Sequence, residues 1–346
     1  MHMADALISP LVGGTLWAAS AGIASYSAAK LQDTLDDVKV PLMGVAGAFV
    51  FAAQMINLTI PATGSSGHLG GGMLLAILLG PYAAFITLAS ILTVQALFFA
   101  DGGLLALGCN IFNMAFFPCF IAYPFIYKKI AGSQPTRGRL MAGIMLSAVI
   151  GLQLGAFGVV VETLASGITA LPFGAFTLLM QPIHLAIGIG EGLITTAVVL
   201  FIWKERPEIL EAGSRFTNGR RSIRRILAGL LTIALLTGGV LSWFASEYPD
   251  GLEWSVGKLA GEEELQKPEG IHAVLAEWQK KTAFLPDYNF KQAEDTPQQE
   301  KTMAEEARTI GNTGTSLAGI VGSLLTLVVA VLLAKSIKYA AKYFCH

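Results

Sequence analysis

The chain has 346 residues, 53% of them hydrophobic and only 14% charged, with a mean hydropathy of +0.60 and a net charge of −1. A soluble domain carries roughly 25% charged residues, so this composition excludes an ordinary soluble enzyme and points to a chain that crosses a bilayer repeatedly. Three cysteines, Cys109, Cys119 and Cys345, stand far apart without CxxC spacing, which excludes a zinc knuckle and a disulfide framework.

Taken in chain order, the opening ten residues hold no Lys or Arg, so the basic start of a cleavable signal peptide is absent from them. Apolar runs then predict an all-α bundle of about nine transmembrane helices, at 10–29, 41–60, 69–80, 81–100, 110–127, 140–164, 173–203, 226–246 and 317–334. Sixteen of the 23 basic residues lie outside 247–312, at Lys30 and Lys39, in 128–139, in 204–225 and in 335–342. With the N-terminus outside, nine spans put all sixteen on the cytoplasmic side of an inner membrane, and the opposite loops at 64–70, 101–103 and 166–172 carry none.

The stretch 69–100 is too short for two full crossings and is broken at Gly80-Pro81. Twelve residues of helix from Leu69 reach only about 18 Å, against a hydrocarbon core of about 30 Å. The preceding loop, 61–68, is therefore expected to dip inward, where irregular backbone survives only under a protein cover. An interrupted segment of this kind points to a binding site in a transport protein.

Between 247 and 312 the composition changes to 14 acidic and 7 basic residues, with Trp254 and Trp278. This segment reads as a small external module between the last two spans, polar enough at 287–308 to be partly disordered. The domain reading is a metal-binding membrane core at 1–206, a basic linker at 207–225 and an accessory two-helix part at 226–346.

The sharpest chemistry lies in Met1-His2. A free amine, the next amide nitrogen and the His2 imidazole can hold one metal in fused five- and six-membered chelate rings. The amide must lose its proton, which suits Ni(II) and Cu(II), the ions that favour square-planar nitrogen ligands. His68, in the inward loop on the same side, can supply the fourth nitrogen. His184 and Glu191 share a helix face seven residues apart, and intramembrane ionisable groups are functional candidates; the structural alternative is a hydrogen-bonded pair locking a Gly-rich helix interface. Glu162, near an outer helix end, is a neighbour of the site or an interfacial carboxylate. His272 and His346 are expected to face solvent. No GxxxxGK[ST], GxSxG or HExxH is present, so this chain has no phosphate loop and no motif of those hydrolases.

These residues resemble a known family. The opening run Met1 to Pro10, the stretch from Ser66-Gly67-His68-Leu69 to Gly80-Pro81, and Val94-Gln95-Ala96-Leu97 with Asp101-Gly102-Gly103-Leu104 and Ala106 to Asn110 resemble the membrane substrate-specific subunits of cobalt and nickel energy-coupling-factor transporters (CbiM/NikM type). Pro249-Asp250-Gly251-Leu252-Glu253 and Leu285-Pro286-Asp287-Tyr288 resemble their accessory N component, so the chain looks like a fusion of the two. The resemblance implies a seven-helix core and a metal held by the terminal amine, the second residue's amide and imidazole, and a loop histidine, which carry over to Met1, His2 and His68. It also implies a coupling membrane protein and two ATPase subunits as partners, a lipid setting, no nucleic acid and no permanent cofactor. Here the loop reads Ser-Gly-His-Leu where the cobalt subgroup has Ser-His-Pro-Thr-Gly, which favours nickel over cobalt as the transported ion. The competing classes are an intramembrane enzyme built on His184 and Glu191, and a membrane-anchored sensor.

Overall fold

A computed structural model describes residues 2–205, 220–260, 269–291 and 303–344. Eleven helices of eight or more residues occur among them: α1 Pro10–Leu31, α2 Lys39–Gln54, α3 Gly72–Leu79, α4 Pro81–Phe99, α5 Leu107–Ala131, α6 Arg137–Ser166, α7 Phe173–Glu205, α8 Arg220–Gly239, α9 Gly251–Ala260, α10 Ile271–Thr282 and α11 Met303–Phe344. Among the described residues, five segments are long and apolar enough to cross a membrane: α4, α5, α6, α7 and Asn312–Ala340 of α11. The apolar helix Lys39–Gln54 is shorter.

Among the described residues, the structure departs from the all-α expectation at one place. Leu58–Ile60 (β1) and Ser65–Gly67 (β2) form an antiparallel hairpin, with Thr59 opposite Ser66. Each strand has three residues, too few to print an alternating pattern, and Ser65, Ser66 and Gly67 are all buried. The run read as a span at 69–80 also shortens to the eight residues of α3, about 12 Å long, which does not cross a hydrocarbon core alone. Its ends explain the shortening. Gly71 and Gly80 adopt φ of +74° and +79°, backbone that favours glycine, and Pro81 opens α4. A Cβ on Gly71 would also meet Val50 at 2.3 Å. Within α5 the helix widens into π turns from Phe112 to Tyr127, around Pro118 and Pro124, which donate no N–H.

Small residues set the packing. α11 and α8 lie against α2, and Gly238 and Gly319 bring α8 and α11 so close that a Cβ on Gly319 would meet the Gly238 carbonyl at 2.2 Å. α6 packs along α7, while α1, α4 and α5 close the other side. The described parts of 247–312 fold back on the core: α9 touches α7 and β2, and α10 touches α4. Residues 207–219 of the linker and much of the polar stretch at 287–308 lie outside the described residues, as do Met1, Cys345 and His346, while 220–225 of the expected linker already belong to α8.

Candidate metal centre

Ser9 caps α1 with its hydroxyl and Pro10 starts the helix, so the residues before them form a separate tail with one 3-10 turn at Asp5–Leu7. That tail is buried rather than free. Met3 is fully covered, and Leu7 and Ile8 join the core. The Met3 N–H donates to Asn110 Oδ1 at 2.8 Å, and Asn110 Nδ2 donates to the Met3 carbonyl at 3.2 Å. The Gly103 N–H reaches the same carbonyl at 2.9 Å, and the Ala106 N–H donates to Asp5 Oδ1. Gly102 and Gly103 make room for this: a Cβ on Gly103 would meet Asp5 Oδ1 at 1.9 Å.

So seated, the tail delivers His2 onto His68. The two rings stack with centroids 4.9 Å apart and planes 23° apart. His2 Nε2 lies 3.2 Å from Gln95 Oε1, and its Nδ1 lies 3.2 Å from Asp101 Oδ1. His68 leaves β2 with its Nδ1 3.0 Å from the Leu69 carbonyl. Burial pushes the His2 imidazole down to about 3, so it is neutral at ordinary pH, the form in which a ring nitrogen can bind a metal. Burial likewise pushes the Asp101 carboxyl up.

The accessory segment closes over the rings. The Ser66 N–H donates to the Pro249 carbonyl at 2.8 Å, and the Ser66 hydroxyl donates to the Tyr248 carbonyl at 2.6 Å. Asp250 thereby pairs in parallel with Ser66 on the edge of β2, and its charge acts on both His2 and His68. The Tyr288 hydroxyl donates to Asp101 Oδ2, and its ring stacks on Phe99. Gln279 Nε2 donates to the Ala96 and Gly102 carbonyls.

The remaining candidates are dispersed. Glu162 accepts from Asn113 Nδ2 at 2.7 Å, and the same nitrogen lies 3.9 Å from Met3 Sδ, so this carboxylate stands behind the tail. His184 and Glu191 do not bond to each other. Glu191 Oε2 accepts from the Gly70 N–H at 2.8 Å, at the entry to α3. His184 Nδ1 donates within its own helix to the Met180 carbonyl, and its Nε2 has no hydrogen-bond partner among the described residues. His272 does not simply face solvent, since its Nε2 lies 2.9 Å from the Ile8 carbonyl and holds the tail from outside. Met1 lies outside the described residues. Beyond the candidates read from sequence, the structure adds Gln54, Gln95, Asp101, Asn110, Asn113, Asp250 and Tyr288. The signal for the two glutamines was available, as amide side chains in otherwise apolar helices.

Two families match the chain. Residues 2–209 match one described as the cobalt uptake substrate-specific transmembrane region, CbiM, and residues 224–339 match the PDGLE domain. The chain is 30% identical over 340 residues to a putative fused nickel transport protein, NikMN, of Archaeoglobus fulgidus, covering 97% of this chain and 98% of that one. A fused nickel transport protein of Rhodobacter capsulatus is also 30% identical, over 83% of this chain and 88% of its own. A crystal structure described as a transition metal transporter superposes with a TM-score of 0.54 at 31% identity, covering 63% of this chain and 100% of that one.

Proposed function

Because the chain belongs to the CbiM family of cobalt-uptake, substrate-specific transmembrane proteins and carries a PDGLE domain behind it, we propose that it is the substrate-capturing membrane component of an ATP-driven energy-coupling-factor importer for a divalent transition metal, nickel favoured over cobalt. The observation that carries this reading is the buried stack of His2 on His68 at the end of a tail seated by Asn110. A chelate of the Met1 amine, the His2 amide nitrogen and the His2 imidazole, closed by His68, offers four nitrogens, the set that favours a square-planar ion such as Ni(II). The nickel named in the fused relatives supports the same choice.

The chain is not an enzyme in this reading. ATP hydrolysis belongs to two partner subunits, coupled through a further membrane protein, which agrees with the absence of a phosphate-loop motif from this sequence. Nine crossings of the inner membrane, with the N-terminus outside and the C-terminus cytoplasmic, follow from the distribution of basic residues, with α3 and the hairpin before it together making one crossing. The 247–312 module regulates loading or release at the gate above His68; its bonds to Ser66, Asp101 and Gly102 support that role.

The test is metal titration of the purified chain with a native N-terminus. One molar equivalent of tightly bound nickel is expected, abolished by His2→Ala or by a Gly-Ser extension before Met1, with the thermal midpoint of the metal-free protein unchanged. Stoichiometric high-affinity nickel in the extended form rules out the terminal chelate.

A further inference from the structure

Two buried glutamines connect the metal centre to the backbone of the inward loop. Gln95, on α4, is fully buried, and Gln54, at the end of α2, is 5% exposed. Buried amides are retained only where their groups find partners, and these partners fall into a line. Gln54 Nε2 donates to the Gly70 carbonyl at 2.9 Å, Gln95 Nε2 donates to Gln54 Oε1 at 2.9 Å, and Gln95 Oε1 faces His2 Nε2 at 3.2 Å.

The direction of this line is fixed at its far end. A backbone carbonyl can only accept, so the Gln54 atom facing Gly70 must be the amide nitrogen. That turns Gln54 Oε1 towards Gln95, and an oxygen there requires the Gln95 nitrogen opposite it. Gln95 is then left with its oxygen towards His2, and an oxygen can only accept.

We infer that Gln95, oriented by Gln54 and the Gly70 carbonyl, draws the His2 imidazole towards the tautomer that carries its proton on Nε2 and leaves Nδ1 bare, against the competing acceptor Asp101 Oδ1, which lies 3.2 Å from Nδ1. This inference deepens the proposed chelate and rests on it. Nδ1 is the nitrogen that a chelate through the His2 amide requires: metal, amide nitrogen, Cα, Cβ, Cγ and Nδ1 close a six-membered ring. Nε2 points away from that ring. His68 is set in the opposite sense, its Nδ1 facing the Leu69 carbonyl and so carrying the proton, which leaves the lone pair on Nε2. Gln54 and Gln95 are thus positioning residues. A partner on the second ring nitrogen fixes tautomer and ring orientation, and its loss costs about 10–100-fold in metal affinity.

The experiment uses the full chain with its native N-terminus and 15N-labelled histidine. Nuclear magnetic resonance of the metal-free protein reads the tautomer, with the His2 signals identified among the five histidines by their loss in His2→Ala. Wild-type protein should show His2 protonated on Nε2. Gln95→Met should give a mixture of tautomers and a nickel affinity roughly 10–100-fold lower by calorimetry. Gln95→Glu keeps an acceptor towards His2 and should fall closer to wild type. Gln54→Met, which keeps the Gln95 amide beside His2 but removes the partner that orients it, should expose a minor second tautomer with a smaller loss. The double variant should be no weaker than Gln95→Met, because the two act in series. Should Gln95→Met fail to fold, the Gln54→Met tautomer decides alone. An unchanged tautomer in the folded variants, or losses that multiply in the double variant, overturns the relay. If His2→Ala leaves nickel affinity intact, the terminal chelate fails instead, and the tautomer result still judges the relay separately.

Discussion

Replacing Asn110 by leucine tests whether the tail must be seated for metal to bind. Asn110 is 1% exposed and holds Met3 from both sides, accepting from its N–H and donating to its carbonyl. The two bonds are not equivalent. The Met3 carbonyl keeps its second donor, the Gly103 N–H at 2.9 Å, so it loses one ordinary bond at about 0.5–1.5 kcal/mol. The Met3 N–H loses the Asn110 partner outright, and a buried donor left unpaired costs about 1–3 kcal/mol. Together the seated tail is weakened by about 1.5–4.5 kcal/mol, and at 1.4 kcal/mol per tenfold the apparent nickel affinity falls by about 10- to 1,600-fold. The change sits between α5 and the N-terminal tail, outside the packing of α2 with α8 and α11, so global unfolding should move far less than binding. Calorimetric titration alongside thermal denaturation of the metal-free protein separates the two. Nickel bound within twofold of wild type by a folded Asn110→Leu variant would refute the requirement for a seated tail, and with it the use of the His2–His68 stack as the ligand geometry.

Two further outcomes concern the whole chain. A cysteine placed at position 298 should react with an impermeant thiol reagent added to intact spheroplasts, while one at position 218 should react only after lysis; the reverse pattern overturns the orientation drawn from the basic residues. Deleting 249–307 should lower metal uptake by cells while sparing equilibrium nickel binding to the core, and a folded deletion that has lost its metal would put ligands in the module.

How far the sequence anticipates this arrangement depends on how local each determinant is. The break at Gly80-Pro81 was legible because both residues restrict or free their own backbone, whatever surrounds them, and the structure ends α3 and begins α4 there. The shortness of the helix behind the loop at 61–68 was legible from length alone, since 69–100 holds too few residues for two full crossings, and the structure leaves α3 only eight. The hairpin inside that loop was not. Its strands are three residues each, and Ser66 is held from the far side by Tyr248 and Pro249, some 180 positions away. His272 was misread for the same reason: in an acidic, polar stretch its ordinary fate is solvent, and only the Ile8 carbonyl, 264 positions earlier, gives it a partner. Gln54 and Gln95 were each visible as polar intrusions in apolar helices, but no local rule pairs residues 41 positions apart on different helices. What sequence could not supply, then, is the set of contacts through which the accessory segment and the core share one site. Asp101 makes the point: its Oδ1 faces His2 while its Oδ2 takes the proton of Tyr288. One carboxylate touches both the His2 ring and the accessory segment. Any movement of the loop bearing Tyr288 therefore reaches the His2 ring through a single side chain.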